Sequence, residues 1–335
     1  MILVTGGAGY IGSHFVKQAV KLDDVLVLDN LSTGHQQAID PAAIFIEGDV
    51  RNASLLNHLM TFYPIDAVVH FAAKSSVAES VRYPHIYYEE NVQGTIPLLS
   101  AMHQHRIRTF IFSSTAGIYG NHYVRPFEEL DAVNPMTAYS KSKYFMEQIA
   151  ADYSNSYGMN SVAFRYFNVA GAHPSGDIGE CPVDNMHVLP LLLKHLLGET
   201  SFFTVNRNNN ETPDGTCIRD FVHVEDIAHA HVLALQRVRS EVGYCEIFNL
   251  GTGNGYSVNE LIRISEQITG YPSMIQYAGV REDEPAIVIA SAKKARALLD
   301  WAPRYSIEDI VETAWRWHSQ KEKEFLRASA SWSRR

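Results

Sequence analysis

The sequence predicts an α/β protein in which a doubly wound parallel sheet is followed by a smaller C-terminal lobe. In the first half of the chain, short apolar runs alternate with helical patterns, which indicates right-handed crossovers and parallel strands. After Ala170 the pattern changes to a long loop of small and polar residues. We therefore expect residues 1–170 to form the first domain and residues 171–335 the second, with about 220–250 packing back on the first.

The composition is that of a packed globular chain. Its 335 residues are 46% hydrophobic, which is enough for a sizeable core. No run of about 18 apolar residues occurs, and residues 2–4 lead directly into a glycine turn, unlike a signal peptide. Cys181, Cys217 and Cys245 lack CxxC spacing, which argues against disulfides or structural zinc. We therefore expect a cytoplasmic protein with no metal and no membrane partner, and the net charge of -9 argues against a nucleic-acid partner.

The first predicted strand and helix are joined by a glycine-rich turn. An apolar run at residues 2–5 is followed by Gly6, Gly9 and Gly12, and helical spacing begins near Phe15. Glycines at these positions let the backbone approach a pyrophosphate, and the N–H groups at the helix start point at it. The pattern predicts a Rossmann-like dinucleotide site, although a glycine triplet alone is also compatible with a simple tight turn.

The acidic residue Asp29 ends the second predicted strand, residues 25–28. It lies 17 residues after Gly12. A carboxylate at this place accepts hydrogen bonds from a ribose diol and repels a 2′-phosphate. The sequence therefore favours NAD over NADP.

The ends of the third and fourth predicted strands carry further candidate contacts. Asp49 and Val50 follow the strand at residues 44–46 and could flank an adenine, with Asp49 as an ordinary turn residue the open alternative. The next strand runs into a segment whose small residues permit close contact with a ligand. That segment begins with Ala72, Ala73 and Lys74.

A tyrosine and a lysine four residues apart are the candidate catalytic pair. Tyr139 and Lys143 lie in a predicted helix over residues 138–157, where this spacing places both side chains on one face. A phenol titrates near ~10, so service as a base near neutrality requires a pKa lowered by about 3 units, worth about 4 kcal/mol. A neighbouring ammonium acts in that direction. The open alternative is an exposed pair on an ordinary amphipathic helix.

A hydroxyl-rich strand end precedes this helix. The fifth predicted strand, residues 109–112, ends in Ser113, Ser114 and Thr115. One of these hydroxyls, with Thr115 preferred, could bond the same substrate oxygen as Tyr139, although Ser and Thr at strand ends often only cap turns. All these strand ends fall at one edge of the predicted sheet, where ligands bind in such folds.

The second lobe offers two candidate anion-binding residues. Arg219 and Arg281 supply the forked donors that a second diphosphate would need, although each taken singly could be a surface ion pair.

In the first lobe, His70 lies within the fourth predicted strand and is expected to be a core histidine. In the second lobe we expect helices at residues 188–197, 257–269 and 307–322 and strands at residues 202–205 and 247–250.

Taken together, these residues resemble the extended short-chain dehydrogenase/reductase family and, within it, the UDP-glucose 4-epimerases. The similarity covers nearly the whole chain. Its more specific motifs lie at residues 113–116, 165–168, 172–180 and 214–220. Related nucleotide-sugar dehydratases typically carry an Asp-Glu pair just after the Ser/Thr strand end, where this chain has Ala-Gly, which weighs against dehydration.

The resemblance implies interconversion of UDP-glucose and UDP-galactose by inversion at C4, with a resident NAD. In that chemistry Tyr139 removes the proton of the sugar 4-hydroxyl, directly or through Thr115, while the C4 hydride passes to the nicotinamide. Lys143 holds the ribose and lowers the pKa of Tyr139. The 4-keto sugar then turns over and takes the hydride back on its other face. The resemblance also implies a homodimer, paired through helices expected at residues 84–103 and 138–157.

The same resemblance implies which residues contact the NAD cofactor and which contact the substrate, a UDP-sugar. Some positions depart from the family pattern: Glu90 replaces Asn, Ser75 replaces Lys, and aliphatic Ile287 and Val288 predict room for an N-acetyl group.

The cofactor set is Gly6, Gly9, Tyr10, Ile11, Gly12, Asp29, Asn30, Leu31, Ser32, Thr33, Gly34, Asp49, Val50, Phe71, Ala72, Ala73, Lys74, Ser113, Tyr139, Lys143 and Phe167. The substrate set is Thr115, Tyr139, Asn168, His187, Val188, Thr204, Val205, Asn206, Arg219, Arg281 and Glu284.

Two rival functions stay open at the level of sequence. The first is a 4-epimerase for another UDP sugar, a uronic acid or a pentose, for which no extra cation near C6 is identifiable. The second is a catalytically silent NAD-binding regulator. The intact Thr115, Tyr139 and Lys143 count against it, because a sensor has no need for a base.

Overall fold

The computed structural model describes residues 1–121, 125–181, 187–207, 212–280, 285–321 and 324. The strands are β1 (Ile2–Thr5), β2 (Val25–Asp29), β3 (Ile44–Glu47), β4 (Ala67–His70), β5 (Thr109–Thr115), β6 (Asn160–Tyr166), β7 (Asn168–Ala170), β8 (Phe203–Arg207), β9 (Ile218–Arg219), β10 (Phe221–His223), β11 (Cys245–Leu250), β12 (Tyr256–Ser257), β13 (Ile275–Val280) and β14 (Ile287–Val288). The α-helices are α1 (Tyr10–Ala19), α2 (Ala53–Phe62), α3 (Val77–Arg82), α4 (Pro84–Tyr87), α5 (Gln93–Gln104), α6 (Ala138–Tyr157), α7 (Val188–Leu196), α8 (Val224–Val238), α9 (Val258–Thr269), α10 (Lys293–Leu299) and α11 (Ile307–Arg316).

Seven parallel strands form the central sheet, in the order β11-β6-β5-β4-β1-β2-β3. Because β2 and β3 extend to one side of β1 and β4 to β6 to the other, the strand order reverses at β1. Ligands of such sheets bind outside the carboxyl ends of the strands at this reversal, here between β1 and β4. The predicted α/β fold with a doubly wound, Rossmann-like parallel sheet is confirmed.

Each face of the sheet carries its own core, because side chains along a strand alternate between the faces. In β1, Ile2 and Val4 belong to the core that includes Phe15 of α1 and Ile227 of α8. Leu3 belongs to the opposite core, which contains side chains of α2, α5 and α6. Helices therefore cover both faces, as a parallel sheet requires.

In the described part of the smaller lobe, short sheets pack with the helices α7, α9 and α11. β8 pairs with β13, β9 lies between β12 and β14, and β10 pairs with β7. Side chains of α7, α9 and α11 form the core of this lobe. From here the chain returns to the first sheet, where β11 pairs in parallel with β6 from Cys245↔Ser161 to Leu250↔Tyr166.

Local capping signals explain where the best-defined helices begin and end. Thr137 caps α6 in a reciprocal pair with Ser140, and the helix stops at Gly158, whose φ is +67°. The predicted helix over residues 138–157 is therefore confirmed. Ser257 and Glu260 form the expected capping box at the start of α9.

Two predicted helices are interrupted by π-helical segments. The helix expected at residues 84–103 consists of α4, a π segment at Tyr88–Val92, and α5. Asn91, inside this segment, bonds with its side chain to Lys74 and Ser142, contacts that a local pattern cannot reveal. The helix expected at residues 307–322 gives way after α11 to a π segment at Trp317–Lys321.

Candidate active site

The glycine turn connects β1 to α1 at the reversal of the strand order. Gly6 has φ +74°, and a Cβ built on it would lie 2.4 Å from the backbone nitrogen of Ala72. A Cβ on Gly12 would lie 2.2 Å from the carbonyl oxygen of Gly6. Neither position accepts a side chain, so the backbone stays open to a close ligand, and the start of α1 is suited to a phosphate group.

Tyr10 and Ile11 occupy the first two positions of α1. The hydroxyl of Tyr10 donates to the carbonyl of Gly171 at 2.6 Å, in the crossing to the second lobe. Ile11 packs against the core of the first lobe. These two side chains hold the glycine turn in place, so contacts to a cofactor at these positions fall mainly to the backbone.

Asp29 lies at the end of β2 with both carboxylate oxygens on backbone donors. Oδ2 accepts from the nitrogen of Ala8 at 2.9 Å and Oδ1 from the nitrogen of Leu31 at 2.8 Å. Burial raises the pKa of this carboxyl, and the two N–H donors partly offset that effect. Since each carboxylate oxygen accepts more than one hydrogen bond, the group can still bind a ribose diol. The loop that follows contains Asn30, Leu31, Ser32, Thr33 and Gly34.

That loop lies against the glycine turn. Leu31 adopts φ +56°, and a Cβ on Gly34 would lie 2.9 Å from the backbone of Ala8. The nitrogen of His35 donates to the carbonyl of Ala8 at 3.0 Å. The loop after β2 and the turn after β1 therefore form one continuous wall.

Asp49 belongs to an ion-pair network that the sequence analysis did not identify. Arg51 donates to both of its oxygens and also to Glu90 at 2.8 Å. Asn30 donates to it at 3.2 Å. These hydrogen bonds, from Arg51 above all, lower the pKa of Asp49 to about 2. The network joins three segments at the edge where an adenine is expected, next to the buried Val50.

The segment of residues 71–74 follows β4 beside the glycine turn. The nitrogens of its first two residues donate to the carbonyl of Thr5 at 2.8 and 3.1 Å. Asn91 accepts from the nitrogen of Lys74 and donates to its carbonyl, and also donates to the Ser142 hydroxyl. Asn91 is fully buried, and these hydrogen bonds hold the segment against α6.

Thr115, Tyr139 and Lys143 come together where β5 ends and α6 begins. The Thr115 side chain lies close enough to Tyr139 to lower the pKa of the phenol. The Nζ of Lys143 donates to the carbonyl of Ser113 at 2.9 Å and to its hydroxyl at 3.0 Å. Thr115 also accepts from the nitrogen of Gly117 at 3.1 Å, so it both caps a turn and contacts the tyrosine.

Burial dominates the electrostatics of this pair. It raises the pKa of Tyr139, and the hydrogen bond with Thr115 offsets part of that rise. It lowers the pKa of Lys143, which is 2% exposed, to about 7. The resemblance implies that Lys143 lowers the pKa of Tyr139. In the protein without its cofactor the pKa of Tyr139 is raised instead, because burial also destabilises the Lys143 ammonium, which is hydrogen-bonded to Ser113.

Tyr87 forms a wall beside the candidate base. Its ring meets that of Tyr139 edge-on, with centroids 6.3 Å apart. Its hydroxyl lies 2.6 Å from the carbonyl oxygen of Ser76 and 2.7 Å from the carboxylate of Glu79 and shares its one proton between them. A ring whose hydroxyl is fixed in this way limits the space in which the neighbouring phenol can move.

Asn168 and Arg219, both predicted substrate residues, lie close together in the second lobe. The nitrogen of Asn168 donates to the carbonyl of Asp220 at 2.9 Å, next to Arg219. One guanidinium nitrogen of Arg219 donates to the carbonyl of Ile218 at 2.9 Å. His187, immediately before α7, bonds to Glu180, which raises the pKa of the histidine.

The predicted substrate residues of β8 point in alternate directions. Val205 is 2% exposed and belongs to the core of the lobe, whereas Thr204 is exposed and Asn206 is partly buried. A substrate contact by Val205 is therefore restricted to its backbone. Val188, the first residue of α7, also packs against this core. Arg281 and Glu284 lie outside the described residues.

A small apolar cluster lies around the turn that Thr115 caps. Phe167 is 7% exposed and packs with Ala116, Tyr119 and Phe127. Val288 packs against the same cluster. This places the predicted aliphatic position near the turn that Thr115 caps.

Sequence reasoning missed a buried ion pair behind these residues. Glu147 lies one helical turn after Lys143 and pairs with Arg165 on β6 at 2.7 Å. The spacing of four from Lys143 was visible in the sequence, but the partner on another strand was not. His70 is satisfied as expected, since its Nδ1 shares a hydrogen bond with the Thr5 hydroxyl at 2.6 Å.

Among the described residues, no group of three or more His, Cys, Asp or Glu side chains is placed to hold a metal ion. Within the same part of the chain, no helix combines the length and apolar character needed to span a membrane.

The fold and this site define a dinucleotide-binding protein with a Thr-Tyr-Lys set at the carboxyl edge of its sheet. The sequence model of the NAD dependent epimerase/dehydratase family matches residues 2–251, and the chain belongs to that family.

Three similar proteins illustrate its position in the family. A UDP-glucose 4-epimerase of Halalkalibacterium halodurans is 44% identical over 95% of this chain and 96% of its own. The crystal structure of a Bifidobacterium longum UDP-glucose 4-epimerase with NAD+ and UDP is 34% identical, with a TM-score of 0.89 over 96% of this chain and 98% of that one. The UDP-Glc/GlcNAc 4-epimerase of Campylobacter jejuni is 35% identical, with a TM-score of 0.83 over 95% and 99%.

Proposed function

We propose that this chain is an NAD-dependent isomerase that interconverts UDP-glucose and UDP-galactose by inversion at C4. The observation that carries this proposal is the Thr115-Tyr139-Lys143 set, which lies at the same carboxyl edge of the sheet as the glycine turn. It supplies a proton acceptor within reach of a dinucleotide site. The 4-epimerase relatives, similar over the whole chain, support the same reaction.

The residues at the reversal of the strand order fit NAD. Gly6 and Gly12 leave a cradle that a Cβ would fill, and the start of α1 suits the diphosphate. Asp29 offers a carboxylate for the ribose diol, which favours NAD over NADP. When bound, NAD supplies the acceptor and donor of the C4 hydride. We assign the rest of the pocket to the loop after β2, residues 49–50 and 71–74, Ser113 and Phe167.

Tyr139 acts as the general base and then as the general acid. It takes the proton of the sugar 4-hydroxyl, directly or through Thr115, and returns it after the 4-keto sugar has turned over. Lys143 holds a ribose hydroxyl and adds positive charge when protonated. Because burial alone raises the pKa of Tyr139, positive charge brought by the oxidised cofactor is needed to favour the phenolate.

We assign the nucleotide of the substrate to the second lobe. Asn168, His187, Val188, Thr204, Val205, Asn206 and Arg219 are the described residues of this assignment, and Arg281 and Glu284 complete it. The aliphatic Val288 beside the cluster of Phe167 leaves space at the sugar, and we therefore extend the substrates to N-acetylhexosamines. The Campylobacter jejuni relative, named a UDP-Glc/GlcNAc 4-epimerase, supports this extension.

We further propose a cytoplasmic homodimer with two domains. Cys181, Cys217 and Cys245 lack CxxC spacing, which fits a reducing compartment. The apolar side chains of Ile96, Phe145 and Tyr157 are exposed on α5 and α6 and support pairing of these helices with a second copy. The division into residues 1–170 and 171–335, with about 220–250 on the first domain, is supported by β11 and by α8, which shares a core with α1.

A direct assay tests the proposed function. The purified protein is incubated with UDP-galactose without added NAD, and UDP-glucose and NADH are followed. We expect conversion without net NADH, and Tyr139→Phe should lower kcat by about 10²-fold or more while bound NAD is retained. UDP-N-acetylglucosamine serves as the second substrate. No conversion of any UDP sugar would refute the proposal and favour a silent NAD-binding protein.

A further inference from the structure

A buried ion pair lies directly behind the candidate catalytic residues. The side chains of Arg165 and Glu147 are 3% and 1% exposed. Two guanidinium nitrogens donate to the two carboxylate oxygens, NH2 at 2.7 Å and Nε at 3.0 Å. Pairs of this kind can often be replaced by apolar residues without loss of stability, because removing both charges from water is costly. A role in positioning explains why an ion pair stands at this place.

The carboxylate of this pair belongs to a regular set of contacts between α6 and β5. Tyr139, Lys143 and Glu147 follow one another at single-turn spacing on one face of the helix. Each contacts a different residue of the segment 113–115 that ends β5. The contact of Glu147 is the Ser114 hydroxyl, which donates at 2.5 Å. The contact between Glu147 and Ser114 is thus the third of three links between the helix and the strand end, and the other two involve the catalytic residues.

The guanidinium extends the set to the turn that follows Thr115. Arg165 is the registered partner of Ser114 in the sheet. Its NH1 donates to the hydroxyl of Tyr119 at 2.9 Å, and its central carbon lies 4.9 Å from the centre of that ring. Tyr119 ends the 3₁₀ turn Ala116–Tyr119, which Thr115 caps. One side chain therefore connects the helix of Tyr139 with the turn of Thr115.

The same network reaches the residue that follows β14. Tyr119 donates to Asn249 at 2.7 Å, and the Asn249 amide donates to the carbonyl of Phe127 at 2.9 Å. The nitrogen of Phe127 then donates to the carbonyl of Ile289 at 2.9 Å, directly after β14. The network thus links the catalytic residues to the strand that carries Val288.

We propose that Glu147 and Arg165 are positioning residues for the epimerisation. The pair sets the distance between Thr115 and Tyr139 by holding α6 and the turn after β5 in one arrangement. Transfer of the 4-hydroxyl proton to the phenol depends on that distance, and a misplacement of about 1 Å can cost about 10²-fold in rate. This inference rests on the proposed function and adds two residues that do not touch the substrate.

The main experiment removes both charges together, so that neither is left buried alone. In the double variant Glu147→Met/Arg165→Met, we expect a folded protein with bound NAD and a KM for UDP-galactose within about threefold of wild type. Its kcat should fall by about tenfold to 10²-fold. Arg165→Lys keeps the charge but loses the planar fork, so its kcat should lie between those of the wild type and the double variant.

A second readout separates positioning from simple stabilisation. The dependence of kcat on pH should shift in the double variant by about half a unit or more, because the surroundings of Tyr139 change. The control is Asp226→Asn, which disrupts the pair of buried Asp226 with Arg304 at 3.1 Å, outside this network. We expect the control to lower the melting temperature without altering kcat or its pH dependence.

The outcomes distinguish the inference from the proposed function. Wild-type kcat and pH dependence in the NAD-loaded double variant would overturn the inference, whereas failure of the wild type to epimerise would refute the proposed function instead. If the double variant does not fold, Ser114→Ala and Tyr119→Phe decide the matter, since each deletes one hydroxyl and leaves the charges paired. Each should lower kcat by about threefold or more; unchanged kcat in both would again overturn it.

Discussion

At the scale of single residues, Lys143 carries a conflict between stability and chemistry. It is 2% exposed, and burial lowers its pKa from 10.5 to about 7. The two hydrogen bonds to Ser113 orient the ammonium without compensating for the lost hydration. The protein therefore keeps at this place a group that is unfavourable for folding and useful for catalysis.

We predict that Lys143→Met stabilises the NAD-free protein at low pH. Between pH 7 and about 10 the unfolded chain binds more protons at this residue than the folded chain, so the stability of the wild type rises with pH. The cost is fully present below about pH 7 and corresponds at most to about 5 kcal/mol, from a pKa difference of about 3.5 units. Urea unfolding should show Lys143→Met more stable by a few kcal/mol at pH 6, with the difference shrinking toward pH 10.

A neighbouring lysine provides the control for this prediction. Lys141 is exposed on the same helix, so Lys141→Met should show no such dependence on pH. A Lys143→Met protein that is less stable than wild type by the same amount at every pH would contradict the prediction. In the NAD-loaded enzyme the same substitution should lower kcat by about 10²-fold or more.

At the scale of elements, local signals made the dinucleotide half of the site predictable. The bounds of α6 follow from Thr137 and Gly158, and the strand-turn-helix unit follows from the glycine spacing. The π segment around Asn91 was not predictable, because it accompanies hydrogen bonds to residues 17 and 51 positions away. For the same reason a sequence pattern could not show Arg51 pairing with Glu90, 39 positions along the chain.

We predict that Gly12→Ala removes NAD without unfolding the protein. A Cβ at this position would lie 2.2 Å from the carbonyl of Gly6, so the turn must open and the start of α1 must shift. The purified variant should contain less than about a tenth of the wild-type NAD, measured by absorbance after denaturation. Gly270→Ala, where nothing lies within 4 Å of the added atom but φ is +74°, provides a control that strains a remote helix end and should keep its NAD. Full NAD content in Gly12→Ala would contradict this account of the turn.

At the scale of the whole molecule, the segment that leads from the first lobe into the second, residues 171–181, is held by contacts from both ends of the chain. Tyr10 holds Gly171, Lys17 pairs with Asp177, and His35 contacts the carbonyl of Cys181. From the other side Trp317 donates to the carbonyl of Glu180. The sequence predicted this segment only as a polar loop, because the contacts that order it come from both ends of the chain.

Exposed apolar side chains on α5 and α6 indicate which surfaces two copies of the chain would use to associate. Ile96 on α5 and Phe145 and Tyr157 on α6 are 44%, 45% and 51% exposed. The ring of Phe145 lies 6.1 Å from that of Tyr88, so the exposed apolar side chains continue toward the π segment. Water in contact with these side chains would be released if the two helices met their counterparts in a second copy.

We predict that Phe145→Glu converts a dimer into a monomer. A charge in the middle of a paired helical face would be buried without a partner, which opposes association. Light scattering after size exclusion should give twice the chain mass for the wild type and a single chain mass for the variant. Leu130→Glu is the matched control, since Leu130 is 99% exposed and belongs to neither helix, and it should remain dimeric. A monomeric wild type, or a dimeric Phe145→Glu, would exclude α5 and α6 as the interface.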